Sequence, residues 1–222
     1  MRGIFITAAT TVAAKTFVSA VLTKNLGAVY FKPFQSGLAD DQPDAVAVRR
    51  LTGLGKEMVP DSPIQLQAPL TPSHAAREEN ITLSFDQAIV PKTDKIVVIE
   101  GSGGLLSPLT ESQTNADLVK HYGVPVLIVT RNILGTISQT LMTIETARNR
   151  GIEVMGVIMS GDPVPANTND IAKFGDVDIL GEVPWFTDDI LPKSSHFWVN
   201  TQAIEEKLQN YYGRQIYGYE AA

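Results

Sequence analysis

Six short runs of apolar, largely β-branched residues recur along the chain, with amphipathic stretches between them. This alternation constrains the fold more than any other feature. The runs are residues 3–8 (GIFITA), 28–31 (AVYF), 95–100 (KIVVIE), 125–130 (PVLIVT), 153–159 (EVMGVIM) and 178–183 (DILGEV). A strand with one face in water alternates apolar and polar residues, whereas continuous apolar runs mark strands covered on both faces. Residues 15–25, 115–122, 136–150 and 201–212 read as helices, and Gly151 stands where a helix ends in a left-handed cap. Buried strands alternating with helices predict an α/β fold, a mostly parallel sheet with helices on both faces. The chain of 222 residues reads as one domain, because no repeat, linker or low-complexity tract divides it. Residues 56–84, rich in proline and polar side chains, read as a long loop that covers a site.

Composition narrows the chemistry. There is no cysteine, which excludes thiolate metal sites, disulfides and a cysteine nucleophile. The three histidines, His74, His121 and His196, have no metal-ligand spacing. A net charge of −6 argues against nucleic acid as a partner. No apolar run reaches the roughly 18 residues of a membrane helix. The amino-terminal apolar run is too short for a secretory signal and reads as the first strand of a cytoplasmic protein.

In open parallel sheets, ligands bind beyond the carboxyl ends of strands, so those positions carry the functional reading. The first run leads into Ala8-Ala9-Thr10-Thr11-Val12-Ala13-Ala14-Lys15-Thr16 and then a helix. This is either an ordinary strand–loop–helix or a phosphate loop. In a phosphate loop, backbone N–H groups and a helix N-terminus hold phosphates, the lysine reaches the outer ones and the hydroxyl binds Mg²⁺. After the second run, Pro33 holds Lys32 extended, and Ser36-Gly37 follow. Lys32 is either a surface turn lysine or an ammonium presented to phosphate or carbamate oxygens. Asp44 is either an acid in the first turn of a helix that has Pro43 at its first position, or a carboxylate for Mg²⁺. The third run ends in Glu100-Gly101-Ser102-Gly103-Gly104. A carboxylate at the end of a buried strand needs a partner, for which a metal ion suits, and glycines let backbone approach phosphate. Trp185 is either core packing or a wall for a flat ring.

The segments ITAATTVAAKT, FKPFQSG followed by PDAVA, VVIEGSGGLLSPL, GVPVLIV and ILGEVPW, in this order, resemble the dethiobiotin synthetase family. The resemblance covers about residues 1–185; residues 192–222 resemble nothing assigned. It implies a P-loop NTPase-like fold and a Mg²⁺-dependent ligase of biotin synthesis. Such an enzyme joins the two amines of 7,8-diaminopelargonate through CO₂ into a cyclic urea, cleaving ATP or another nucleoside triphosphate. It further implies that Lys32 and Lys15 are catalytic, and that Thr16, Asp44 and Glu100 hold the metal. Thr11, Lys32 and Ser36 would touch the diamine or its carbamate. Thr11, Val12, Ala13, Ala14, Lys15, Thr16, Gly101, Ser102 and Gly103 would line the phosphates, and Val183, Pro184 and Trp185 the base. The site would lie at a homodimer interface, reached by the helix that starts near Gly135.

Two departures from the family pattern stand out. Ala8 and Ala14 occupy phosphate-loop glycine positions, and Thr10 replaces the loop aspartate. Alanines held at positive φ are strained, so restoring both glycines is expected to tighten nucleotide binding and lower thermal stability. Ser160 replaces an asparagine that reads adenine in many members. The rival expectation is a degenerate relative that keeps the fold and binds a ligand or partner without turnover.

Overall fold

The structure is a computed structural model that describes residues 1–10, 13–184 and 198–217. In chain order the elements are β1 (Gly3–Ala8), α1 (Lys15–Asn25), β2 (Val29–Phe31), β3 (Phe34–Gln35), α2 (Asp44–Thr52), β4 (Ile64–Gln65), α3 (Pro72–Glu78), β5 (Val97–Gly104), α4 (Asn115–Tyr122), β6 (Val126–Arg131), α5 (Thr136–Asn149), β7 (Val154–Ser160), α6 (Pro165–Gly175), β8 (Ile179–Val183), β9 (Trp198–Val199) and α7 (Thr201–Tyr217). Seven strands pair in the order β2-β5-β1-β6-β7-β8-β9. Every pairing is parallel except β8 with β9.

The pleat divides the strand side chains between two faces. Ile4 and Ile6 of β1 pack with Val18 and Leu22 of α1 and with Ile204 and Leu208 of α7. Phe5, one residue out of phase, packs on the other face with Leu118 of α4 and Ala147 of α5. This two-sided burial explains why the strands read as unbroken apolar runs. The last helix is tied to the first strand by Tyr212. Its hydroxyl accepts from Gly3 N at 2.9 Å and donates to Gly3 O at 2.8 Å.

Three local expectations are corrected. The third strand does not stop at Glu100 but runs to Gly104, which pairs with Ala8 after a register shift. The amide of Asn115 holds it extended by donating to Ser102 O and Gly104 O, both at 2.8 Å. The stretch 56–84 is not a bare loop, because it carries β4, which pairs with β3, and helix α3. Finally, α2 begins at Asp44 with Pro43 outside it as the N-cap. Helix α6 also has no counterpart in the sequence reading. Of its residues only Ile171 and Gly175 are buried, so apolar periodicity could not mark it.

Candidate active site

At the carboxyl ends of β1, β2 and β5 the chain leaves the sheet, and four charged side chains converge there. Lys32 follows β2 and is 6% exposed, while Glu100, within β5, is 1% exposed. Lys32 Nζ donates to Glu100 Oε1 at 3.3 Å and makes a short ion pair with Asp44 Oδ2. Asp44 is presented by the first turn of α2. There its backbone N–H donates to Gln35 Oε1 at 3.0 Å, and the positive helix end favours its charge. Thr16, in the first turn of α1, donates from Oγ1 to Glu100 Oε1 at 2.8 Å. The opposite oxygen, Oε2, accepts from the Tyr30 hydroxyl at 3.0 Å.

The electrostatics follow from this packing. Burial works against the Lys32 ammonium, but Glu100 and Asp44 outweigh it and hold its pKa above the ordinary lysine value. Lys15 shows the reverse balance. Burial and the neighbouring Lys32 charge lower its pKa, against the pull of Glu100 and Asp44. Burial and the Glu100 charge raise Tyr30 well above the ordinary phenol value, so it stays a neutral donor. Lys32, Ser36, Asp44, Ser102 and Gly103 line a cavity of about 540 Å³, closed on its far side by residues 69–72. That far wall belongs to the segment that the sequence marks as covering a site.

The residues singled out in the sequence fall in several places. Lys15, Thr16, Lys32, Asp44 and Glu100 form one electrostatic cluster. Ser36, Ser102 and Gly103 share the cavity wall with Lys32. Ser36 Oγ donates to Leu70 O at 2.7 Å, and Ser102 Oγ makes a short bond to Phe34 O. Gly101 is buried where an added Cβ would sit 2.5 Å from the Phe5 ring, so only glycine fits. Towards the other edge of the sheet, Val183 is buried in the core with Ile158 and Leu180 and its carbonyl accepts from Gly161 N at 2.9 Å, and the half-buried Pro184 follows it. Thr11, Val12 and Trp185 lie outside the described residues. Ser160 is buried and bonded to Thr130 O at 3.3 Å, which turns its hydroxyl into the sheet.

The two loop alanines behave differently. Ala14 has φ 61° and ψ 31°, the left-handed conformation expected of a glycine position. Ala8 is an ordinary strand residue paired with Val129 and Gly104, and positive φ is not found there. The expectation of strain at Ala8 is therefore corrected. The expectation for Ala14 changes sign. The strain belongs to the folded loop itself, so relieving it stabilises the fold, and it leaves affinity little changed where the loop keeps this conformation on binding. Relief of about 1–2 kcal/mol, less about 0.4–1 kcal/mol for the looser unfolded chain, leaves a net gain near 1 kcal/mol for Ala14→Gly. Thermal unfolding should rise by about 2–4 °C, with nucleotide affinity changed less than about 3-fold. A fall in the melting temperature with a tenfold gain in affinity would restore the original expectation.

Three contributors carried no sequence signal. Tyr30 looked like one more core aromatic. Asn115 looked like a helix start. Thr10 read only as a missing acid, yet its Oγ1 accepts from Arg131 N at 2.8 Å and ties the loop to the end of β6.

The parallel order, the strand–loop–helix carrying Lys15 and Thr16, and the position of the cluster define a P-loop nucleoside triphosphatase fold. Two solved structures share it at sequence identities that bear on fold alone. The septum site-determining protein MinD of Pyrococcus horikoshii, complexed with Mg-ADP, aligns with TM-score 0.51 and 15% identity, over 94% of this chain and 95% of that one. A ParA family ATPase of Chlorobium tepidum aligns with TM-score 0.52 and 11% identity, over 85% and 87%. Residues 2–190 match the family described as an AAA domain. The ATP-dependent dethiobiotin synthetase BioD of Paramagnetospirillum magneticum is 39% identical over 183 residues, 82% of this chain and 88% of its own length. The biotin biosynthesis bifunctional protein BioCD of Bordetella avium is 40% identical over 183 residues, 82% of this chain and 39% of its own length. The chain belongs to the dethiobiotin synthetase family. Among its described residues no helix is long and apolar enough to cross a membrane.

Proposed function

We propose that the chain is an ATP-dependent dethiobiotin synthetase, closing a cyclic urea from 7,8-diaminopelargonate and CO₂. The supporting observation is the convergence of Lys32, Asp44, Glu100 and Thr16 on one notch that opens into the 540 Å³ cavity. A module that only binds does not need two carboxylates, one buried and one half-buried, with two lysines and a hydroxyl around one point, so the binding-only alternative is not favoured.

The reaction proceeds in three bond changes. An amine of the diamine adds to CO₂, giving a carbamate and releasing a proton. A carbamate oxygen attacks the γ-phosphorus, and the bond to the β-phosphate oxygen breaks, releasing the nucleoside diphosphate. The second amine attacks the carbamoyl carbon, the ring closes and inorganic phosphate leaves. No covalent enzyme intermediate is needed, so catalysis is positioning and charge neutralisation. Lys32 neutralises the oxygens of carbamate and γ-phosphate at the mouth of the cavity. Lys15 and the α1 N-terminus hold the outer phosphates, where the backbone donors of the first turn point outward. Ser36 contacts the diamine, and Ser102 and Gly103 line the phosphate path.

The notch fits a divalent cation. Two carboxylates already hold a cation, the Lys32 ammonium, and the Thr16 hydroxyl bonds to one of them; Mg²⁺ at such sites takes few protein ligands and fills the rest with water and phosphate. Asp44, Glu100 and Thr16 would hold it. When bound, it would supply positive charge that neutralises phosphate oxygens.

The protein is further proposed to act as a homodimer. Leu134 is fully exposed at the entry to α5, and Ile133, Leu106 and Met142 are also exposed. Gln139 and Met142 share a shallow cavity with Ala8 and Ala9 beside the phosphate loop. A second copy seated there would bring the α5 N-terminus to an anionic substrate end.

The direct test is phosphate release with diaminopelargonate, bicarbonate, Mg²⁺ and each of the four nucleoside triphosphates. Release that requires the diamine supports the assignment, and release without it, or none at all, refutes it. In the same buffer the protein should sediment as a dimer; a monomer under turnover conditions removes the shared-site proposal.

A further inference from the structure

Glu100 is held from both sides, and only one side faces the cavity. Its Oε1 is shared by Thr16 and Lys32, the groups that belong to the reacting region. Its Oε2 points back into the protein and takes a hydrogen bond from Tyr30. Tyr30 is itself fixed. The ring is fully buried among Ala20, Ala45, Val48 and Val59, between α1 and α2, and its backbone N–H donates to Met58 O at 2.8 Å. β2 lies beside β5, with Tyr30 in register with Val98, which sets the phenol two residues from the Glu100 level.

A phenylalanine would fill the same volume. A tyrosine adds only a hydroxyl, and here that hydroxyl is spent on a carboxylate, not on a backbone carbonyl. A carboxylate with one bonded oxygen can rotate about its last torsion and offer either oxygen, or both, to a cation. With Oε2 capped from below, Glu100 presents Oε1 alone, in the plane set by the phenol. Groups that orient a metal ligand in this way commonly change metal affinity 10- to 100-fold when removed.

We propose that Tyr30 is a positioning residue, which fixes the Glu100 carboxylate so that a single oxygen, Oε1, serves the divalent cation and Thr16. This rests on the assignment of Asp44, Glu100 and Thr16 to the metal given above. It concerns a residue that touches neither substrate nor nucleotide.

The test compares Tyr30→Phe with the wild type and with Tyr122→Phe. Tyr122, half-buried, donates to Ala88 O at 2.7 Å and makes no bond to the cluster, so its variant controls for loss of an internally bonded phenol hydroxyl. Mn²⁺ binding is measured by electron paramagnetic resonance in the presence of a non-hydrolysable ATP analogue. Tyr30→Phe should bind Mn²⁺ 10- to 100-fold more weakly, with Tyr122→Phe within 3-fold of the wild type. In turnover assays the half-saturating Mg²⁺ concentration should rise by the same factor, while kcat at saturating Mg²⁺ stays within about 3-fold. If the wild type binds Mn²⁺ and Tyr30→Phe binds it equally, the positioning role is overturned and the metal assignment stands. If both phenylalanine variants weaken binding alike, the effect is general destabilisation and the role is again overturned. If the wild type with nucleotide binds no Mn²⁺, the metal assignment fails and the inference falls with it.

Discussion

Replacing Lys32 with alanine is expected to reduce turnover by about 10²–10³-fold, the range for removing one preorganised donor from developing negative charge. The ammonium sits between Asp44 and Glu100 at the mouth of the substrate cavity, where no other cation of the cluster contacts both carboxylates. Its loss has a second consequence. Glu100 then keeps the Thr16 and Tyr30 hydroxyls and the electrostatic attraction of Lys15, and breaking a buried pair costs up to about 3–5 kcal/mol. Part of that cost is recovered if a divalent cation enters the vacated notch. Lys32→Ala should therefore melt lower than the wild type, and Mg²⁺ should raise its melting temperature more than it raises that of the wild type. Single-turnover phosphate release, read beside circular dichroism, separates the two effects. A folded variant with near-normal release would remove Lys32 from the chemistry.

What made the cluster legible in the sequence was position, not local motif. Lys32 follows one run of buried apolar residues and Glu100 closes another, and ligands bind on the carboxyl-end side of a parallel sheet, although β5 itself continues to Gly104. Asp44 was ambiguous because helix-start acids are common, and only Gln35, which caps its N–H, shows how it is aimed at Lys32. The strand and helix bounds follow the apolar periodicity closely wherever burial is two-sided. Residues 15–25 and 115–122 were read as helices and are α1 and α4. Where an element buries little, as in α6, or is made by side-chain tethers, as in the Gly101–Gly104 end of β5, periodicity had nothing to report. Tyr30 shows a further limit. Its ring obeys the core pattern, and only the three-dimensional pairing of β2 with β5 reveals that its hydroxyl belongs to the site.

Glu100→Gln is the sharpest probe of the cluster, because it keeps the shape and removes only charge. Tyr30, Thr16 and Lys32 all reach this carboxylate as donors, so an amide must turn one end to each side. The tolerable arrangement leaves the amide oxygen on Thr16 and Lys32 and donates the NH₂ to the Tyr30 oxygen, which has lone pairs free to accept. The opposite arrangement sets NH₂ against an ammonium and is excluded. Even the tolerable one strips a full charge from a buried lysine, which then depends on Asp44 alone. Because Asp44 remains, the stability cost should lie at or below that of breaking an isolated buried pair, about 2–4 kcal/mol. For a chain of this size that corresponds to a fall of roughly 5–15 °C in melting temperature. The pKa of Lys15 should fall further, since Glu100 is the first of the two charges that hold it up. Turnover should drop by about 10²–10³-fold, from loss of a metal ligand together with a disturbed lysine pair. Calorimetric unfolding, Mn²⁺ titration and phosphate release on one preparation read all three effects. A variant with wild-type stability and wild-type release would show that the charge on Glu100 serves neither the fold nor the reaction.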